Sequence, residues 1–348
     1  KDSEDLIALI LSADIELIDS RIHWRDYTGR SRDIDFDDAT VRLENYLDSQ
    51  YVESEVRLPA DLGQRFSVVA QLEGDLRDLH SLEIKMHASG TGLVFDNWVD
   101  TTKLKEFVRG SGKLDVSLWT HINNAKILRF AGDINATNLQ LANTDKRRKA
   151  WRADSLKTKI YWRTLSQQAW QLDIRDLHLQ IGDSKWQENT NIIVANRGSD
   201  WRVAASYLKP SDILPLLNVL PDGIDTSAIT AKADYVPAGE FFDFEAIVDL
   251  TEAPSLQLST RFNDIAIVLA DRGISVNGLD GEVAITNRRS ELLLASSNVL
   301  ADTGGFLRWP VQLDRLEGKL AIQFEDEKLS LETPALVVNN QHIQTVTR

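Results

Sequence analysis

The stretch Phe241-Phe-Asp-Phe-Glu-Ala-Ile-Val-Asp-Leu250 alternates apolar and polar residues over its whole length. Lys113-Leu-Asp-Val-Ser-Leu118 and Ser255-Leu-Gln-Leu-Ser-Thr-Arg-Phe262 follow the same period of two. Successive side chains of a β-strand point to opposite faces, so this period places the apolar residues on one face of a sheet. Similar stretches recur along the chain and indicate about twenty strands against two or three short helices. The sequence therefore predicts an all-β protein.

Glycine placement predicts that the sheet is long, curved and repetitive. Leu279-Asp-Gly-Glu-Val-Ala-Ile-Thr286 and Leu316-Glu-Gly-Lys-Leu-Ala-Ile-Gln323 share one pattern, with Gly281 and Gly318 at the same place in each. A glycine near the start of a strand permits a bend or a bulge. We expect an antiparallel, taco-like sheet that forms an apolar groove.

Local signals interrupt the strand pattern at a few places. In residues 13–25 the apolar parity changes near Ile18, which predicts a β-bulge or a bend. Short helices are predicted at 2–11, at 101–109 with Gly110 as the stop signal, and at 211–219 with Ser211 as the cap. The turn residues after that last helix suggest two groove segments, 1–222 and 223–348, which continue one another.

Charge and composition exclude some partners. The formal net charge is −14, from 39 basic and 53 acidic residues, and nucleic-acid affinity comes mainly from cations that neutralise phosphates. Nucleic acid is therefore not an expected partner. The chain has no cysteine and begins at Lys1, with Met86 as its only methionine, so we expect a piece of a longer protein.

The sequence contains no strong motif for metal binding or catalysis. Asp33-Ile-Asp-Phe-Asp-Asp38 resembles the start of a calcium loop but has Asp38 where the loop needs glycine, and its alternation predicts a strand instead. The six histidines lie apart, without metal-ligand spacing, and no nucleophile motif occurs. We expect no enzyme activity, no cofactor and no metal site.

The one dense basic cluster is Lys146, Arg147, Arg148 and Lys149. It is either a solvated hairpin loop or a contact for anionic headgroups or a partner protein. The tryptophans Trp24, Trp162 and Trp170 keep the parity of neighbouring aliphatic residues. They are expected to pack on the apolar face, or to face a lipid if that face is open.

The order of several segments resembles the AsmA-like envelope proteins of the YhdP type. The matching segments are Asp14-Ile-Glu-Leu-Ile-Asp-Ser-Arg-Ile-His-Trp24, Leu93-Val-Phe-Asp-Asn-Trp98, Gly110-Ser-Gly-Lys-Leu-Asp-Val-Ser-Leu-Trp119, Pro215-Leu-Leu-Asn-Val-Leu-Pro221, Phe262-Asn-Asp-Ile265 and Leu316-Glu-Gly318. The resemblance implies a protein of the Gram-negative periplasm, anchored to the inner membrane by a segment outside this chain. It also implies a β-groove that conducts phospholipids towards the outer membrane; envelope protein partners stay unspecified.

Strand parity selects the side chains that such a groove would present to acyl chains. The candidates are Ile22, Trp24, Val41, Leu43, Val68, Leu82, Ile84, Leu114, Val116, Leu118, Leu172, Ile174, Phe242, Phe244, Leu256, Leu258, Val283, Ile285, Leu320 and Ile322.

Two other classes of protein remain open from the sequence. A closed β-sandwich or solenoid adhesion module would pack the same apolar faces against each other and leave no room for lipid. A glycan-acting β-helix enzyme would need carboxylates clustered in a cleft, and no such cluster is evident.

Overall fold

The computed structural model describes residues 13–25, 33–46, 49–75, 78, 80–99, 108–145, 148–219, 238–249, 251, 255–269, 273–287, 289–325, 328–342 and 344–347. The helix predicted at 2–11 and the segment boundary predicted after residue 222 lie outside these residues. Contacts divide the chain into two compact units, residues 1–189 with 219–221 and residues 190–218 with 222–348. We call these the first and the second unit.

The first unit is a ladder of antiparallel strands, each paired with the next one along the chain. Its strands are β1 (Ile15–Trp24), β2 (Ile34–Asn45), β3 (Ser49–Arg57), β4 (Arg65–Glu73), β5 (Glu83–Val94), β6 (Val108–Asn123), β7 (Lys126–Asn143), β8 (Trp151–Ser166), β9 (Ala169–Ile181) and β10 (Ser184–Lys185). A short helix, α1 (Phe95–Val99), follows β5.

The second unit is also a ladder of antiparallel strands. Its strands are β11 (Thr190–Arg197), β12 (Asp200–Leu208), β13 (Ala238–Asp249), β14 (Ser255–Leu269), β15 (Ile274–Thr286), β16 (Arg289–Thr303), β17 (Val311–Glu325), β18 (Lys328–Asn339) and β19 (Gln344–Thr347). They too pair antiparallel in chain order. The prediction of a repetitive, antiparallel all-β fold is confirmed.

The helix predicted at 211–219 is present, but its cap is not Ser211. Helix α2 (Pro210–Ile213) continues into a 3₁₀-helix (Leu214–Val219), and Lys209 occupies the N-cap position without a side-chain cap. Pro210 starts the helix because its fixed φ suits the first helical position. Ser211 therefore lies inside the first turn.

The helix predicted at 101–109 does not end at Gly110. Val108 and Arg109 already belong to β6, and residues 100–107 lie outside the described part of the chain. Gly110 lies where an added Cβ would overlap the ring of Phe95. The glycine that resembled a helix stop thus allows helix α1 to pack closely against β6.

The bulge predicted near Ile18 is confirmed, and similar bulges recur. The register between β1 and β2 shifts between Leu17 and Ser20, and Asp19 has a φ of 48°. Six more aspartates or asparagines have positive φ at a register shift: Asp38, Asn138, Asp176, Asp243, Asp264 and Asn298. Asp and Asn tolerate the left-handed conformation better than other residues with a Cβ.

The sequence repeat corresponds to two strands on either side of β16. Gly281 of β15 and Gly318 of β17 both pair with Leu294. A Cβ on Gly281 would overlap the carbonyl oxygen of Leu293. Gly281 therefore lets β15 approach β16 closely, and Gly318 lets β17 approach β18, where an added Cβ would overlap the carbonyl oxygen of Ala335.

Candidate functional site

The groove candidates of the first unit share one face of its sheet. Direct cross-strand pairing links Val68 to Ala88, Ala88 to Leu118, Leu118 to Gly132, Gly132 to Ile160 and Ile160 to Ile174. Residues directly opposite each other in a ladder lie on the same face. We call this surface the apolar face of the first unit. The other first-unit candidates belong to it by pairing or by strand parity: Ile22, Trp24, Val41, Leu43, Leu82, Ile84, Leu114, Val116 and Leu172.

A small buried cluster closes one part of this face. Leu58, Leu62 and Leu93 are almost fully buried, and Phe36 and Trp98 pack against them. The indole Nε1 of Trp98, in helix α1, donates a hydrogen bond to the carbonyl oxygen of Leu62 at 2.8 Å. This contact holds α1 against the apolar face.

An aromatic stack lies on another part of the apolar face. The ring centroids of Trp162 and Trp170 are 4.6 Å apart with an interplanar angle of 20°. Phe130 stacks on Trp162 at 6.2 Å and 6°. The structure thus places both tryptophans on the face that strand parity selected, where all three rings are only partly buried.

The second unit also collects its candidates on one face, with one exception. Leu258 pairs with Ala246 and Ile285, while Leu292 pairs with Val283 and Leu320. Phe244, Leu256 and Ile322 share this face by pairing. We call it the apolar face of the second unit. Part of it is closed by a buried cluster of Phe262, Ile265, Leu279, Leu294 and Val299.

Phe242 does not share that face. The β13–β14 register shifts between Phe242 and Glu245, so that Phe242 lies opposite Arg261, whose guanidinium lies 5.8 Å from the ring centroid. Phe241 pairs with Phe262 and stacks on Phe244 at 6.5 Å instead. The parity predicted for Phe242 is wrong because the bulge at Asp243 inserts one residue and reverses the alternation before it.

Most of these apolar side chains are half-buried rather than buried. Of the twenty candidates only Leu82 is fully buried, at 2% exposure, whereas Trp24 is 57% exposed and Leu256 is 37% exposed. In a closed sandwich the inward residues of two sheets cover each other and form the core. Large areas of both apolar faces therefore stay accessible.

The acidic stretch at 33–38 forms cross-strand ion pairs. Ile34 and Phe36 lie on the apolar face, and Asp35 and Asp37 point to the other side, 2.7 Å from Nδ1 of His23 and 2.6 Å from Nε of Arg21. The strand interpretation of this stretch is confirmed. Across the described residues, no three histidines or carboxylates are grouped to hold a metal ion.

The basic cluster is only partly described. Lys146 and Arg147 lie outside the described residues, Arg148 is half-buried and Lys149 is exposed. The backbone N–H of Arg148 donates to the carbonyl oxygen of Asp145 at 3.1 Å, in a turn after β7. Its contact with headgroups or a partner stays a prediction.

The opposite, polar face of the first unit carries an arrangement that sequence patterns did not reveal. Two cross-strand rows run side by side over it. We call the first the cationic row: Tyr51, Gln71, Lys85, His121, Arg129, Arg163 and Gln171. We call the second the aromatic row: Val69, His87, Trp119, Ala131, Tyr161 and Asp173.

Both rows, apart from Gln171, line a concavity of about 800 Å³. Its edge next to β5 is neutralised, because Glu83 accepts hydrogen bonds from Lys85 and His121, which lower the pKa of its carboxyl group. Trp119, 49% exposed, packs against His87 with ring centroids 4.5 Å apart and the ring planes tilted by 30°. The residues come from strands far apart in sequence, and only the register brings them together.

The second unit has a smaller concavity of about 490 Å³ on its own polar side. Four of its charged residues form two ion pairs, Arg261 with Asp243 at 2.5 Å and Lys319 with Glu291 at 2.7 Å. The Lys319 hydrogen bond lowers the pKa of Glu291. Both cations of this concavity are therefore paired with carboxylates, and its lining carries one more carboxylate, Glu282.

Comparisons with known proteins give one family. The family described as YhdP protein matches residues 1–348, which is the whole chain. No curated protein and no solved structure matches the chain. No described helix has the length and apolar character needed to cross a membrane. The family match agrees with a repetitive β-fold that has one apolar face in each unit, and the chain belongs to the YhdP family of bacterial envelope proteins.

Proposed function

We propose that this chain holds the acyl chains of phospholipids on the apolar faces of its two units, as part of phospholipid transport between the membranes of the envelope. Membership of the YhdP family points broadly to lipid transport in the periplasm. The observation that carries the proposal is the partial exposure of nearly all the candidate side chains. A soluble protein rarely exposes large apolar areas without a binding role.

The physical chemistry of acyl chains suits such a surface. Burial of each CH₂ group contributes about 0.8 kcal/mol, so several half-exposed strands in a row can hold a tail while its headgroup stays in water. No reaction is required for this role, and we propose none. In the full-length protein an inner-membrane anchor outside this chain would place the two units in the periplasm of a Gram-negative bacterium.

Face-resolved cross-linking tests the proposal. A photo-reactive amino acid would replace Leu258 on the apolar face or Gln257, its exposed neighbour on the polar side of β14. Val116 and the exposed Asn135 form a second matched pair in the first unit. After irradiation in cells, mass spectrometry should find phospholipid adducts at Leu258 and Val116 and none at Gln257 and Asn135.

The alternative structural or adhesion module predicts a different result, since its apolar faces would be covered by protein. Absence of adducts at all four positions would favour that module. Adducts of equal yield on both faces would contradict specific binding to the apolar faces.

A charge on the apolar face should impair transport. A buried charge costs at least about 2–3 kcal/mol in an apolar environment, so Val116→Asp and Leu258→Asp should reduce phospholipid transfer and complementation of a strain that lacks the protein. Gln257→Asp is the matched control and should behave like the parent. Normal transfer by a stably folded Leu258→Asp protein would contradict the proposal.

A further inference from the structure

On the polar face of the first unit, two arginines face each other without a counter-charge from any described residue. Arg129 of β7 and Arg163 of β8 are direct cross-strand partners. Side chains in such positions have Cβ atoms about 4.5–5.5 Å apart, and like charges placed there are destabilising. Two other pairs of cations lie directly opposite each other in this unit, Arg57 with Arg65 and Lys159 with Arg175, but each of those four cations forms an ion pair with a carboxylate.

The other charged groups of the concavity already have partners. Lys85 lies 3.2 Å from Glu83 and His121 lies 2.9 Å from the same carboxylate. Arg175 lies 2.9 Å from Asp173. In the part of the chain that the structure describes, Arg163 donates only to the neutral Oε1 of Gln171, at 2.8 Å, and Arg129 has no ion-pair partner.

An open aromatic surface lies beside the two arginines. Trp119 is half-exposed and rests on His87, and Tyr161 is held by the guanidinium of Arg175, 4.7 Å from its ring centroid. Aromatic rings with one exposed side provide apolar contact area next to polar groups. The concavity therefore offers two guanidinium groups that have no carboxylate partner among the described residues, and an adjoining apolar surface.

We propose that this concavity binds a phosphate group, with Arg129 and Arg163 as its ligands and Trp119 as the contact for the carbon skeleton attached to the phosphate. Guanidinium groups match phosphate oxygens in geometry and bind them through charge-assisted hydrogen bonds. A phosphate between the two arginines also removes their repulsion. This site lies on the face opposite to the proposed acyl-chain surface and does not depend on that function.

Calorimetric titration tests the site with three probes: inorganic phosphate, dihexanoyl phosphatidylglycerol and dihexanoylglycerol, which lacks phosphate. Arg129→Gln and Arg163→Gln should each weaken binding of both phosphate-containing probes at least tenfold. Arg202→Gln, which removes an exposed arginine paired with Glu245 in the second unit, is the control and should leave binding unchanged.

The probes also separate two sources of the phosphate. A lipid headgroup is indicated if phosphatidylglycerol binds at least tenfold more tightly than inorganic phosphate and Trp119→Ala removes that advantage. Equal affinities that are insensitive to Trp119→Ala indicate recognition of the phosphate alone. Unchanged binding of inorganic phosphate in both arginine variants, or an equal weakening of dihexanoylglycerol binding by these variants, would overturn the proposal.

Thermal stability provides a measurement that does not require tight binding. In phosphate-free buffer of low ionic strength, Arg129→Gln should raise Tm by about 1–3 °C because it removes a like-charge contact. Added phosphate should raise the Tm of the parent and not that of the variant. If Arg129→Gln instead lowers Tm equally with and without phosphate, the arginine has a structural role and the proposal fails.

Discussion

At the scale of single residues, three aspartates at β-bulges share one arrangement: each pairs with a cation of the adjacent strand. Asp38, Asp176 and Asp243 all have a left-handed backbone, with φ of 49–50°. Each forms an ion pair with a cation of the adjacent strand, Arg57 at 2.9 Å, Lys159 at 2.9 Å and Arg261 at 2.5 Å respectively. In all three cases the cation lies opposite the residue before the aspartate. The backbone conformation, more than the exposed ion pair, should explain the choice of aspartate.

Substitution of Asp243 separates these two effects. Asp243→Val should lower the free energy of unfolding by about 1–3 kcal/mol, because a β-branched residue is strained at positive φ. Asp243→Asn keeps a residue that tolerates this conformation and removes only an exposed pair, so it should cost less than about 1 kcal/mol. Chemical denaturation measures both. Equal losses for the two variants would show that the ion pair, not the backbone, is decisive.

Tyr207 is buried, and its phenol has a raised pKa. It is 1% exposed, and its hydroxyl donates to Oε1 of Glu240 at 2.7 Å. Burial and then this hydrogen bond raise the pKa of the phenol well above its ordinary value. The raised pKa means that the folded state favours the neutral phenol.

The pH dependence of stability follows from the direction of this pKa shift. The contribution of Tyr207 is fully present below the unfolded-state pKa, about 10, and is lost as the pH rises from there towards the folded-state pKa. Tyr207→Phe should cost about 0.5–1.5 kcal/mol at neutral pH, and its deficit relative to the parent should shrink above about pH 10. Denaturation midpoints of both proteins from pH 7 to 11 measure this. A constant deficit would contradict the raised pKa.

At the scale of elements, glycine placement decides how closely strands pack. Gly281 and Gly318 lie in one row with Leu294, and Gly110 admits the ring of Phe95 between α1 and β6. The same residue type thus serves close approach of backbone in one place and helix packing in another.

A single methyl group tests this close approach. Gly281→Ala should destabilise the protein by about 1–3 kcal/mol, because its Cβ meets the backbone of β16 and the strands must separate. Ala284→Val, at an exposed position of the same strand, is the matched control and should be neutral or slightly stabilising because valine favours strands. Comparable stability of Gly281→Ala and the parent would show that β15 and β16 can adjust without cost.

At the scale of the whole molecule, pairing follows chain order in each unit. Within each unit, every strand contacts its neighbours along the chain, as in repeat proteins, whose stability depends on nearest-neighbour interfaces. A local defect should therefore affect its neighbours most. In Gly281→Ala, amide hydrogen exchange should accelerate most in β14, β15 and β16, with β4 to β8 as the unaffected reference. Uniform acceleration over both ranges would indicate one fully cooperative structure.

The local sequence pattern was sufficient to predict several features of this chain. Alternation alone indicated an antiparallel all-β fold with one apolar face, and a parity change located the bulge near Ile18. Pro210 to Val219 was recognisable as helical. These features depend on neighbours in sequence, whose side chains alternate between faces in any strand.

Other features were decided only by tertiary structure, because they depend on register. Because of the bulge at Asp243, Phe241 lies on the apolar face of the second unit and Phe242 does not. Gly110 allows close packing of helix α1 and does not end a helix. The opposition of Arg129 and Arg163 arises from the register of β7 against β8, which aligns two residues far apart in sequence. Register is set by turns, bulges and cross-strand contacts together, and a one-residue shift moves a side chain to the other face.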